Sequence, residues 1–112
     1  MQSDNYIVIQ GWMVNELNLK GNDLLVYAII YGVSQDRESK FTGSLQYLAD
    51  WCGATKHGIM KNLKNLLDRN LICKEEILLN GVKFVTYYVT QLHGMKQSYT
   101  NNISNNQLNN QL

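Results

Sequence analysis

Thr55, Lys56, His57, Lys61, Lys64 and Asn65 are the residues whose types and spacing best suit one chemistry. On a helix opening at Thr55, the apolar Ile59, Leu63, Leu66 and Leu67 take one face. The lysines, His57 and Asn65 are left on the other. Outward lysines neutralise phosphates or hydrogen-bond guanine edges, and histidine and asparagine add further base-reading groups. Thr55 reads as the N-cap, beside free backbone N–H groups that a phosphate would meet. Thr42 and Ser44, at the start of the preceding helix, could touch phosphate in the same way. Lys83 lies at a hairpin tip and suits a backbone contact, or else is a solvated lysine beside a tight turn.

Each of these residues also has an ordinary reading. Most lysines on helices form a solvated face. Here the surrounding elements decide the choice in favour of DNA. Leu45, Leu48 and Ala49 predict a helix capped by Ser44, finishing at Trp51 and Cys52 and stopped by Gly53. Only Gly53 and Ala54 then precede Thr55, so the helix over Lys56 to Arg69 must cross its predecessor steeply. Asn70 ends it. Leu71–Leu79 and Val82–Val89 are runs rich in Ile, Val, Phe and Tyr joined by Asn80-Gly81, the strongest short signal for a tight hairpin. Helix, short turn, cationic helix and hairpin are the plan of a winged helix-turn-helix, which lays its second helix in the DNA major groove.

Upstream, Tyr6–Ile9 reads as a short strand ending at Gly11, followed by an irregular apolar stretch that could hold one helical turn. Lys20-Gly21-Asn22-Asp23 opens a helix, with Asp23 complementing its positive end. Leu24 to Val33 is almost continuously apolar, so that helix belongs at the centre of the fold. The polar Ser34–Ser39 ends it. The expected class is mainly α with a small β-hairpin (α+β), a winged helix-turn-helix over 1–93. Residues 94–112 form an Asn/Gln-rich polar linker or tail.

Composition narrows the alternatives. The 112 residues suffice for one small domain with an ordinary core, at 45% apolar and 17% charged. The formal charge of +1 alone does not mark a nucleic-acid binder, but its distribution is uneven. Residues 1–50 carry three basic and six acidic side chains, a balance of −3. Residues 51–112 carry seven basic and three acidic, a balance of +4. Between Trp51 and Leu67 lie three lysines and a histidine with no acid. The cysteines Cys52 and Cys73 form no CxxC motif, and no secretory signal or membrane span stands out, so a cytoplasmic protein with reduced thiols is expected.

Other chemistries fit poorly. His57, His93, Cys52 and Cys73 match no usual zinc spacing, so no metal is expected. No nucleophile triad, phosphate loop or paired carboxylate motif appears, so neither catalysis nor a cofactor is expected. Tyr27, Tyr31, Tyr47, Trp51, Tyr87 and Tyr88 could stack on bases, but they lie in apolar patterns that favour core packing.

YAIIYGVSQD, FTGSLQYLADWCGATKHGIMKNLKNLLDRNLI and NGVKFVTYYV together carry a resemblance over residues 6 to 92. They resemble the N-terminal winged-helix domain of replication initiator and replisome-organiser proteins from phages and prophages of Gram-positive bacteria, and of the related DnaD-type primosome proteins. The resemblance implies binding of double-stranded origin DNA in replication initiation, through the helix at Thr55–Arg69. It also implies self-association, for which the N-terminal segment is a reasonable surface, and recruitment of replication proteins such as a helicase loader. An additional C-terminal domain often follows a polar linker in that group, and the polar segment here suggests that a larger parent chain continues beyond it. A transcriptional regulator of the same fold is the alternative, as is a winged helix that binds protein instead of DNA. Met60, apolar on the outer side of the cationic helix, and the low overall charge speak for the last.

Overall fold

The computed structural model describes residues 2–36 and 39–89. It contains helices α1 (Gly11–Asn15), α2 (Gly21–Val33), α3 (Leu45–Cys52) and α4 (Lys56–Asp68), then strands β1 (Cys73–Leu79) and β2 (Val82–Tyr88). A short 3-10 turn, Ser34–Asp36, follows α2. This is a small α+β fold: four helices and one antiparallel hairpin. The expected boundary after residue 93, the Asn/Gln-rich segment and His93 lie outside the described residues.

The nearly uniform apolar character of α2 places it at the centre. Six consecutive residues, Val26 to Tyr31, are buried, which requires neighbours all round the helix. Amphipathic α3 supplies Leu48 and Ala49, and amphipathic α4 supplies Ile59, Leu63 and Leu66, to the same core. Leu67, expected on the inner face, is half-buried at its margin. Trp12 meets Tyr27 and Tyr31 edge-on, with centroids 6.2 and 5.1 Å away. The buried Ser34 hydroxyl donates to the Ile30 carbonyl at 2.8 Å and accepts from the Val89 amide at 3.0 Å. One side chain thus ties the end of α2 to the end of the hairpin.

Local signals set most element ends. Ser44 accepts from the Tyr47 amide at 3.1 Å and Thr55 from the Gly58 amide at 3.0 Å, so both cap as expected. Gly53 (φ 60°) and Asn70 (φ 60°) take the left-handed conformation that stops a helix. Asn80 and Gly81, at φ 53° and 78°, form the type I′ turn that matches strand twist. The resulting register runs from Cys73 opposite Tyr88 to Leu79 opposite Val82.

Two findings depart from the sequence reading. Tyr6–Ile9 forms no strand, and Gly11 opens α1 instead of ending a strand. The β-branched run has the composition of a strand but no neighbour to pair with among the described residues, and Tyr6, Val8 and Ile9 are exposed. Conversely, Phe41 exchanges backbone hydrogen bonds with Tyr87, at 2.7 and 3.1 Å, on the edge of β2 away from β1. A Cβ on Gly43 would lie 2.5 Å from the Phe41 ring, so this glycine makes room for the buried phenyl group before α3 starts.

Candidate nucleic-acid interface

The outer face of α4 is built by exclusion. Once Ile59, Leu63 and Leu66 turn inward, Lys56, His57, Met60, Lys61, Lys64 and Asn65 are exposed together. The helix is held from behind. Asn62 donates to the Asp23 carboxylate at 2.7 Å, fixing α4 to the first turn of α2. The Arg69 guanidinium donates to the Leu17 carbonyl, so this cation is turned back onto the N-terminal region. No acid lies in the first turn of α4, and Thr55 satisfies one of its free amides. The positive end of the helix dipole therefore adds to Lys56 and His57 in the first turn.

The lysines differ in what surrounds them. Lys56 and Lys61 form no ion pair among the described residues. Lys64 reaches Asp68 at 2.9 Å, one turn along the same helix. Both are well exposed, so the pair is weak and a phosphate can compete for it. Lys83 reaches Glu76 at 3.2 Å, and Glu76 also lies 3.7 Å from Lys74. Lys40 binds Glu75 at 2.5 Å and sits over the Tyr88 ring at 4.7 Å; the hydrogen bond to Glu75 raises the lysine pKa. Every charge on the hairpin thus has an opposite neighbour.

The sequence-predicted residues fall into three groups. Thr55, Lys56, His57 and Lys61 share the N-terminal half of α4. Ser44 and Lys64 share the wall of a groove, with exposed Thr42 two residues before Ser44. Lys83 stands apart on the hairpin, and Asn65 is exposed with no side-chain hydrogen bond among the described residues.

The groove is the feature the sequence did not reveal. It has a volume of about 480 Å³ and runs between the start of α3, the outer side of α4 and the hairpin. Its wall is mostly apolar, with Met60, Leu67, Val85 and Tyr87 prominent. Met60 is 55% exposed. Only its presence on the polar face of α4 hinted at such a surface. Burial, with a smaller contribution from Glu76, raises the Tyr87 hydroxyl pKa, so this part of the groove wall stays neutral beside the charged Lys64, Asp68 and Lys74.

The aromatic residues divide in a way the sequence approximates. Tyr27 and Tyr31 are buried, while Tyr47, Trp51, Tyr87 and Tyr88 are half-buried. Cys52 and Cys73 are free thiols, and burial raises the pKa of Cys52. Among the described residues no cluster of His, Cys, Asp or Glu could hold a metal ion, and no helix is long and apolar enough to cross a membrane. No protein-family model matches the chain, and no curated protein matches it at a significant level.

Proposed function

We propose that this chain is a winged helix-turn-helix that binds double-stranded DNA without catalysis, acting in phage-type replication initiation. One observation carries the DNA reading. A capped, glycine-terminated helix is followed after three residues by a helix whose first turn holds no acid and whose outer face holds Lys56, His57, Lys61 and Lys64. That is the arrangement by which such folds present a helix to the major groove. Lys56, His57, Lys61 and Asn65 are the base-edge and phosphate contacts. Thr55, Thr42 and Ser44 donate hydroxyl hydrogen bonds to phosphate, and Lys64 exchanges Asp68 for phosphate. Lys83 has the weaker role, because Glu76 already neutralises it. Replication rests on the resemblance of the Phe41–Trp51 and Leu63–Ile72 blocks to initiator winged helices.

A second reading has its own observation. The apolar groove beside α4, with Met60 at its edge and Lys64 paired to Asp68, suits an apolar protein segment better than a duplex. The two readings separate on one variant. Changing Lys61 and Lys64 to Ala together should weaken duplex binding and lower the slope of log affinity against log salt by a little under two, at ~0.9 per phosphate contact. Unchanged affinity and slope in an anisotropy titration would remove these lysines as contacts and favour the protein partner.

A further inference from the structure

The distal half of the hairpin carries one charge, Lys83, paired with Glu76, and is otherwise largely apolar and, among the described residues, open along one edge. Ile77, Leu78, Leu79, Val82 and Phe84 are between 42% and 74% exposed, Leu78 the most. Ile77, Leu79, Val82 and Phe84 share one face of the hairpin, a patch within the roughly 300–600 Å² range of the largest patch on a monomeric protein, while Leu78 is exposed on the opposite face beside Lys83. Such a patch marks a contact surface. We propose that it pairs with the same patch on a second copy of this chain, β1 against β1 across a two-fold axis.

Three features of the hairpin select this occupant. First, among the described residues β1 has a strand on one side only, so its other edge offers unpaired backbone groups. A partner must bring an equivalent free strand, and a second copy does. Second, the protective charges that blunt edge strands sit only in the half of β1 nearest the body. They are Lys74, Glu75 and Glu76, followed by the unguarded Ile77-Leu78-Leu79. Third, the hairpin's two lysines and two glutamates balance and are already paired, so two hairpins meet without repulsion.

The charge pattern also selects the register. An axis through Glu75 would set Glu75 against Glu75. An axis through Leu78 sets Leu78 against Leu78 and Ile77 against Leu79, with Glu76 opposite the neutral Asn80. Phe84 and Val82, which face the same side as Ile77 and Leu79 in the hairpin register, then extend the apolar strip across both copies. The N-terminal segment, the self-contact surface implied by the resemblance, has exposed Tyr6, Val8 and Ile9 but no strand. It lacks the backbone edge.

The test is sedimentation equilibrium of the full chain without DNA, so it stands or falls separately from the DNA reading. The expected result is a monomer–dimer equilibrium whose dissociation constant rises at least tenfold in Leu79→Asp, which sets a carboxylate against Ile77 of the second copy within the apolar strip. A chain that stays monomeric up to about 0.5 mM, or a Leu79→Asp variant that dimerises unchanged, overturns the proposal. Covalent trapping provides a second measurement. With Cys52 and Cys73 changed to Ser, Leu78→Cys should form a disulfide-linked dimer on mild oxidation, because directly opposed residues lie within disulfide reach. Val8→Cys should not. Equal trapping at both positions contradicts the wing contact.

Discussion

The outer face of α4 and the hairpin carry similar numbers of lysines and present opposite surfaces. On α4, Lys56 and Lys61 have no acidic partner among the described residues and lie in the N-terminal half of the helix. On the hairpin, Glu75 and Glu76 neutralise Lys40, Lys74 and Lys83 locally, and the tip is apolar. Formal charge along the sequence already separates these regions, three lysines and one acid in α4 against two lysines and two glutamates in the hairpin. Pairing sharpens the difference: an unpaired cation can release counterions from DNA, whereas a paired one must first give up its carboxylate. In the function proposed above, α4 meets nucleic acid and the hairpin meets protein.

The most severe way to break this contrast is to remove the support that α4 requires. Leu66 is fully buried on its inner face, so Leu66→Ala should destabilise the fold by about 2–5 kcal/mol, read as a lower midpoint in urea unfolding. DNA binding should fall in proportion to the unfolded fraction. A more direct contrast comes from two double variants. Lys56→Ala with Lys61→Ala should weaken duplex binding by about tenfold or more at low salt, since two phosphate contacts go. Lys74→Ala with Lys83→Ala should change it by less than about twofold, because those cations are paired. Equal losses in a side-by-side titration would erase the distinction between the regions.

Smaller effects sharpen the account. Thr55→Ala removes the α4 cap and should lower stability by about 1 kcal/mol, measured by thermal unfolding. Tyr27→Phe should have the least effect at neutral pH, within roughly 1 kcal/mol, since it deletes a buried hydroxyl that has no hydrogen-bond partner. Its signature lies at alkaline pH. Burial, and secondarily Tyr31, raise the Tyr27 pKa above its ordinary 10.0. Above that value the unfolded chain loses a proton that the folded chain keeps, so stability falls as pH rises. Removing the hydroxyl should make the alkaline loss shallower in a pH series of melts. Tyr87, raised in the same direction, remains as a smaller source of alkaline loss.

Residues that act on their own neighbours made much of this fold legible. Ser44, Gly53, Thr55 and Asn80-Gly81 each determine a boundary through a bond or a backbone angle within three residues, and each does so in the structure. Periodicity likewise located the inner face of α4. What was illegible depends on partners far along the chain. Tyr6–Ile9 has strand composition without a strand to join, while Phe41 gains a bridge to Tyr87 that no local pattern announces. The groove arises only when α3, α4 and the hairpin assemble. The neutralisation of Lys83 was nearer to hand. Once Asn80-Gly81 determines the register, Glu76 and Lys83 lie on one face in diagonal positions, close enough to pair.

The central claim is that the α4 face grips duplex DNA through its cations. Fluorescence anisotropy of this chain on a random duplex, taken across a salt series, tests it most directly. Engagement of Lys56, Lys61 and Lys64 predicts clear binding at low salt that falls with a log–log slope of about −3. Absence of binding at about 50 mM salt would contradict the account and leave the apolar groove as the functional surface.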